Sequence, residues 1–130
     1  MSELTIGDIV QAPNKSGIYV GELVEDRHDK YLVKVLAVLK HPMQGDLHHP
    51  KQVENVVFHE RKALAQFEKV NVLKSVVKLF EDELPEYGES LQSAVEIYRK
   101  QLESKDTPYN QEALKALKVV EESYYLGKYY

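Results

Sequence analysis

Residues 17–40, GIYVGELVEDRHDKYLVKVLAVLK, decide the fold. Ile18, Val20 and Val24 alternate with Tyr19, Gly21 and Leu23, and Val33, Val35, Ala37 and Leu39 then recur at every second position. A period of two sends successive side chains to opposite faces of a strand, so two strands are predicted, joined by the polar residues 25–30. Upstream, Ile9 and Gln11 open another strand, and Asn14-Lys15-Ser16-Gly17 supplies a turn in which glycine takes positive φ. The third strand is apolar on nearly both faces, which suits a central place, and Gly21 lets the second strand bend. Short, bent, antiparallel strands of this kind predict a small SH3-like barrel.

Downstream, residues 40–52 hold two prolines and a glycine with neither helical nor strand period, which reads as a long irregular loop. Residues 53–58 resume a strand. Between 59 and 80 the periods conflict. Ala63, Leu64, Phe67, Val70, Leu73, Val77 and Phe80 recur at helical spacing, yet Val70, Val72, Val76 and Val77 are β-branched. Two short strands, 64–67 and 76–79, around a turn at Asn71 are expected, because the barrel needs closing; a single helix is the alternative. Past the acidic linker 81–85 the period turns helical, with Tyr87, Leu91, Ala94, Val95, Tyr98 and Leu102 on one stripe from about residue 85 to 104. Thr107 before Pro108 marks the start of a second helix, which carries Ala113, Leu114, Leu117, Val120 and Tyr124 and ends at Gly127. The fold class expected is α+β: a barrel segment over 1–80, then a helical hairpin over 81–130, packed together as one unit.

Composition narrows the function. A chain of 130 residues with 43% hydrophobic content buries roughly two-thirds of its extended surface, enough for a core without metal or disulfide staples. The absence of cysteine removes thiol nucleophiles, cysteine zinc sites and thioether-linked lipid anchors. The longest apolar run, 31–39, is interrupted by Lys34 and falls well short of the roughly 20 residues of a membrane span. The first residues show no basic leader or cleavage site, so secretion is not expected. Net charge is −4, with residues 1–80 near neutral and 81–130 acidic, a balance that disfavours counterion-driven binding to nucleic acid.

Candidate chemistry centres on the irregular loop. His41, His48, His49 and His59 flank it, with Asp46 and Glu60 nearby. Histidine and carboxylate can ligate catalytic zinc or iron, but adjacent His48 and His49 point apart on an extended backbone. His59-Glu60-Arg61-Lys62 also lacks the second histidine of a helical metal pair. No metal and no cofactor is therefore expected. No serine sits in a Gly-x-Ser-x-Gly elbow, and no glycine-rich run forms a phosphate cradle. The carboxylates Glu81, Asp82 and Glu83 read as a solvated linker, and an enzyme is disfavoured. The 9 tyrosines outnumber 3 phenylalanines, and Tyr109, Tyr124, Tyr125, Tyr129 and Tyr130 all follow residue 108. Such rings form a docking surface, a homodimer contact, or a cover for the barrel within the same chain. Arg61, Lys62, Lys69, Lys74 and Lys78 read as a solvated face, although Tyr19, Tyr31 and Phe58 beside them could stack bases.

Several strings carry a family resemblance: Gly17-Ile18-Tyr19-Val20-Gly21-Glu22, the run from Val35 to Pro42, then Gln44-Gly45-Asp46-Leu47-His48, Pro50-Lys51-Gln52-Val53 and Phe58-His59-Glu60-Arg61. They make the chain similar to kinase-associated protein B of spore-forming Gram-positive bacteria, over most of its length. The resemblance implies a small non-enzymatic regulator needed by a membrane sensor histidine kinase that feeds the sporulation phosphorelay. It transfers no catalytic residues. The family is often labelled a lipoprotein, and a chain without cysteine departs from that label. The expected location is the cytoplasm, beside the kinase's cytoplasmic portion. Candidate partner-binding residues are His41, Gln44, Asp46, His48, His59 and Arg61. Two other readings remain: an RNA- or ribosome-binding barrel, prompted by the opening Gly7-Asp8-Ile9-Val10, and a metal-dependent hydrolase using His41, His48 and His59.

Overall fold

The computed structural model describes residues 4–45 and 60–127. Strands β1 (Ile9–Asn14), β2 (Gly17–Arg27) and β3 (Lys30–Lys40) form the expected antiparallel meander, and β4 (Lys69–Leu73), a 3-10 turn (Lys74–Val76) and β5 (Lys78–Leu79) follow. The sheet order is β4-β3-β2-β1-β5. Because β4 and β5 occupy opposite edges yet only one short 3-10 turn joins them, the sheet must curl until its edges approach. Helices α1 (Tyr87–Glu103) and α2 (Pro108–Leu126) complete an α+β fold.

Gly21 shows why the meander bends. A Cβ at that position would lie 2.5 Å from the Lys34 carbonyl oxygen and 2.5 Å from a Val33 methyl, and the β2–β3 register shifts between Val20 and Gly21. Only glycine lets the neighbouring backbone come this close.

Four local expectations need correction. The polar residues 25–30 are mostly strand: Glu25, Asp26 and Arg27 pair with Leu32, Tyr31 and Lys30, leaving a turn of two residues, His28 and Asp29. Their exposed side chains hide a ribbon whose backbone is nevertheless satisfied by ladder bonds. Asn71 is not a turn residue; it sits mid-β4 opposite Leu32, its side chain accepting a 3.3 Å bond from Arg27, and the chain reverses through the 3-10 turn instead. Residues 64–67 are not a strand, although Phe67 N–H donates to the Val35 carbonyl at 2.7 Å. In the β1–β2 turn the positive φ belongs to Lys15, at 49°, and not to Gly17. Gly17 is needed for a different reason: a Cβ there would meet the Tyr19 hydroxyl at 2.6 Å. The expected strand over 53–58 lies outside the described residues.

Two apolar clusters form. Val10, Ala12, Leu23, Tyr31, Val33, Val72 and Val77 fill the inside of the curled sheet. Tyr19, Val35 and Val38 lie in the other cluster, against Leu91, Val95, Tyr98 and Leu102 of α1 and Leu117, Val120 and Tyr124 of α2. Leu91 and Leu117 are almost fully buried, each contributing about 2–3 kcal/mol of transfer free energy. The hairpin is held shut at its bend by Asn110, whose Nδ2 donates to the Leu102 and Lys105 carbonyls at 3.0 Å each. Arg99 of α1 also pairs with Glu121 of α2.

Thr107 caps α2 as expected, its hydroxyl oxygen accepting from the Asn110 N–H at 3.1 Å, with Pro108 in the first helical turn. Thr107→Ala should cost about 1 kcal/mol, read as a lower midpoint in chemical unfolding with an unchanged slope.

Candidate functional site: a clamped loop stem

The two segments that flank residues 46–59 run side by side, and the fold grips both. Residues 41–45 continue from the end of β3, while residues 60–64 lead back toward β4 without regular structure of their own. Backbone groups without a ladder must be paired some other way, and here side chains pair them.

Gln44 stands in for a missing strand. Its side-chain amide accepts from Arg61 N–H at 2.9 Å and donates to the Arg61 carbonyl at 2.9 Å, as a neighbouring peptide group would. A longer bond, 3.3 Å, reaches the Pro42 carbonyl. Its backbone is held as well: the N–H donates to the Tyr98 hydroxyl at 2.9 Å, and the carbonyl accepts from the Tyr109 hydroxyl at 2.8 Å. Arg61 adds a return bond, Nε to the Gly45 carbonyl at 2.8 Å. Gln44 is buried and Arg61 partly so, which raises the cost of leaving any of these groups unpaired.

His41 is buried to 1% exposure. Its Nδ1 lies 2.9 Å from the Pro42 carbonyl, which can only accept, so Nδ1 carries the proton. Nε2 then accepts from the Tyr124 hydroxyl at 2.8 Å, and that hydroxyl accepts from Ala63 N–H, also at 2.8 Å. The chain of bonds thus ties one side of the stem to the other through a helix α2 tyrosine. Burial drives the His41 pKa down to about 4, against smaller upward pulls from the Pro42 bond and the Glu121 charge. The imidazole stacks on Tyr98 with ring centroids 5.8 Å apart. Burial likewise pushes the Tyr98 and Tyr124 phenols far above their usual range, so both stay neutral donors and acceptors.

Further clamps follow the same pattern. Met43 N–H donates to the Ser16 hydroxyl at 2.7 Å, Leu64 N–H to the Tyr19 hydroxyl at 3.2 Å, and the Tyr87 hydroxyl to the Leu64 carbonyl at 2.6 Å. Val38 N–H, on the strand just before the stem, donates to Ser90 of α1 at 2.9 Å.

Of the six residues expected to bind a partner, the structure brings His41, Gln44 and Arg61 together at the stem. Asp46, His48 and His59 lie outside the described residues. His41 and Gln44 face inward, so they hold the stem and offer no exposed group. For a metal site built on His41, one of its two hydrogen bonds would have to break, and no group of three potential ligands gathers among the described residues. Tyr19 and Tyr31, candidates for base stacking, are buried in separate clusters, while Phe58 is outside the described residues. Tyr109 and Tyr124 cover the sheet within this chain, whereas Tyr125 is exposed; Tyr129 and Tyr130 are outside the described residues. Sequence reasoning placed Tyr87 and Tyr98 on a packing stripe, Tyr19 as a stacking ring and Tyr109 among docking or covering rings, and missed that their hydroxyls clamp the stem. Their signal was the excess of tyrosine over phenylalanine at apolar stripe positions, where packing alone would not need a hydroxyl.

Fold and site together define a class: small α+β proteins in which a tyrosine-bearing helical hairpin roofs a curled sheet and clamps the two segments that flank residues 46–59. The family model of kinase associated protein B matches residues 14–125. A relative from Bacillus subtilis (strain 168), kinase-associated lipoprotein B, is 44% identical over 125 residues, covering 96% of this chain and 98% of that protein. The crystal structure of kinase-associated protein B from Bacillus cereus is similar at a TM-score of 0.80 and 37% identity, covering 94% of this chain and 98% of the other. The chain belongs to the kinase associated protein B family. No helix among the described residues is long and apolar enough to cross a membrane.

Proposed function

We propose that this protein is a non-enzymatic accessory regulator of a kinase, working through protein–protein contact. The observation that carries this reading is membership, over nearly the full chain, of a family whose relatives are named for association with a kinase. The partner we infer is the cytoplasmic portion of a membrane sensor histidine kinase feeding the sporulation phosphorelay. We read the curled sheet as an SH3-like barrel, and the barrel and hairpin as a single working unit, supported by the cluster that Tyr19, Val35 and Val38 share with both helices.

Recognition is assigned to residues 46–59, with His41, Gln44 and Arg61 holding the segments that flank them. A rigid footing lowers the ordering entropy lost on binding, so it raises affinity without touching the partner. The 130 residues contain no cysteine to carry a thioether-linked lipid, so we place the protein in the cytoplasm, held at the membrane by the kinase.

The test is a pulldown with the kinase's soluble portion. Wild-type protein should retain it, and Asp46→Ala/His48→Ala/His59→Ala should lose most retention while unfolding at the same denaturant midpoint. Equal retention by the triple variant would remove these three side chains from the contact.

A further inference from the structure

Beside the stem, a cavity of about 260 Å³ opens between the β1–β2 turn and residues 60–64. Its walls include Lys15, Tyr19, Glu60, Arg61, Lys62 and Leu64, three cations against one carboxylate on a protein whose net charge is −4. From these walls we infer an oxyanion site that takes a phosphate group, free or as a monoester.

Three independent observations support it. The first is unspent positive charge. Among the described residues, neither Lys15, Lys62 nor the terminal nitrogens of Arg61 has a carboxylate within ion-pair distance. Arg61 uses only Nε on the stem, which orients the guanidinium and leaves its outer edge for a ligand. The second is a buried donor. Tyr19 is 2% exposed, and its hydroxyl oxygen accepts from Leu64 N–H, which sets that polar end at the cavity wall the two residues share. No described residue accepts the hydroxyl's own proton, and burial raises its pKa, so the proton stays on oxygen. A buried O–H with no acceptor among the described residues calls for one, and a phosphate oxygen is an acceptor. The third is strain. Lys15 takes φ 49° in a tight hairpin turn, where glycine is the usual residue. A lysine held there at a conformational cost beside a cationic cavity has a reason to be lysine. Glu60 in the wall and Glu68, whose charge reaches Tyr19, work against the anion, yet both are exposed and the five charges still sum to +1.

This inference does not rest on the kinase reading, since it is tested on the protein alone. The full chain is titrated with inorganic phosphate and, separately, with phenyl phosphate, at constant ionic strength against chloride, following backbone amides by NMR. Saturable shifts are expected at Lys15, Lys62 and Leu64. Lys15→Gln/Lys62→Gln should weaken binding about tenfold, and Tyr19→Phe, which keeps the ring but loses both the donor and the acceptor of Leu64 N–H, about fivefold. Equal affinity for the two probes identifies free phosphate as the natural ligand, and tighter phenyl phosphate binding identifies a phosphate carried on a larger molecule. Titrations that leave these amides unmoved, or variants that bind as tightly as wild type, would overturn the site.

Discussion

Gln44→Ala is expected to lower the unfolding free energy by about 3 kcal/mol, a large share of the 5–15 kcal/mol typical of a domain. The substitution strips the Arg61 N–H and carbonyl of their partner and removes a bond to Pro42, all in a buried or half-buried setting. Water can re-satisfy some of these groups, which is why the expected loss falls below the sum of full desolvation costs. Gln44→Glu sharpens the test. A carboxylate still accepts from Arg61 N–H but turns an acceptor oxygen toward two carbonyls, so it should be no better tolerated than alanine despite its nearly identical shape. Amide hydrogen exchange at Arg61 and Gln44 should accelerate in both variants, well before exchange in β2. A Gln44→Ala protein within about 0.5 kcal/mol of wild type would mean that the pairing contributes little to the stem.

The second large effect is acid sensitivity. The His41 pKa is about 4 in the folded protein and about 6.5 when the chain is unfolded, so the unfolded state binds the proton more readily. The stability contributed by neutral His41 is therefore complete above pH 6.5. It is lost as pH falls from 6.5 through 4, and the total is about 3 kcal/mol. Protonation at Nε2 turns an acceptor into a donor facing the proton that the Tyr124 hydroxyl had given it, so that hydroxyl must turn its proton elsewhere and the chain of bonds across the stem must rearrange. Urea midpoints measured from pH 7 to pH 4 should fall, and the ring carbon-bound proton of His41 should titrate near pH 4 by NMR. A ring that titrates near 6.5 would place it in water and contradict the burial.

The frame of this protein was legible because periodicity follows from covalent geometry. The alternation through residues 17–40 and the stripe Tyr87, Leu91, Val95, Tyr98, Leu102 each admit one element type, and Thr107-Pro108 with Gly127 mark the ends of α2 chemically. Asn71 misled because its polarity reads as a turn, whereas on the outward face of β4 it needs only solvent and Arg27. The region 25–30 misled for the same reason, since a ribbon projecting from the core has no apolar face to announce it. The candidate site was half legible. Prolines, glycine and histidines drew attention to residues 40–61, but sequence gives no access to which way a side chain faces. His41 and Gln44 look like surface chemistry in a polar string. They are buried because tyrosine hydroxyls from helices 54 to 83 residues further along supply their partners. Pairings across such separations leave no local pattern to read.

A single measurement bears most directly on the proposal that residues 46–59, whose two flanking segments are clamped, contact the kinase. Arg61 and Gly45 share a hydrogen bond, so a short Gly-Ser linker can replace residues 46–59 without disturbing either side of the stem. Calorimetric titration of this shortened protein into the kinase's soluble portion should show no heat of binding, while its unfolding midpoint stays close to that of wild type. Binding at undiminished affinity by the shortened, folded protein would contradict the account and move the contact to the barrel or the hairpin.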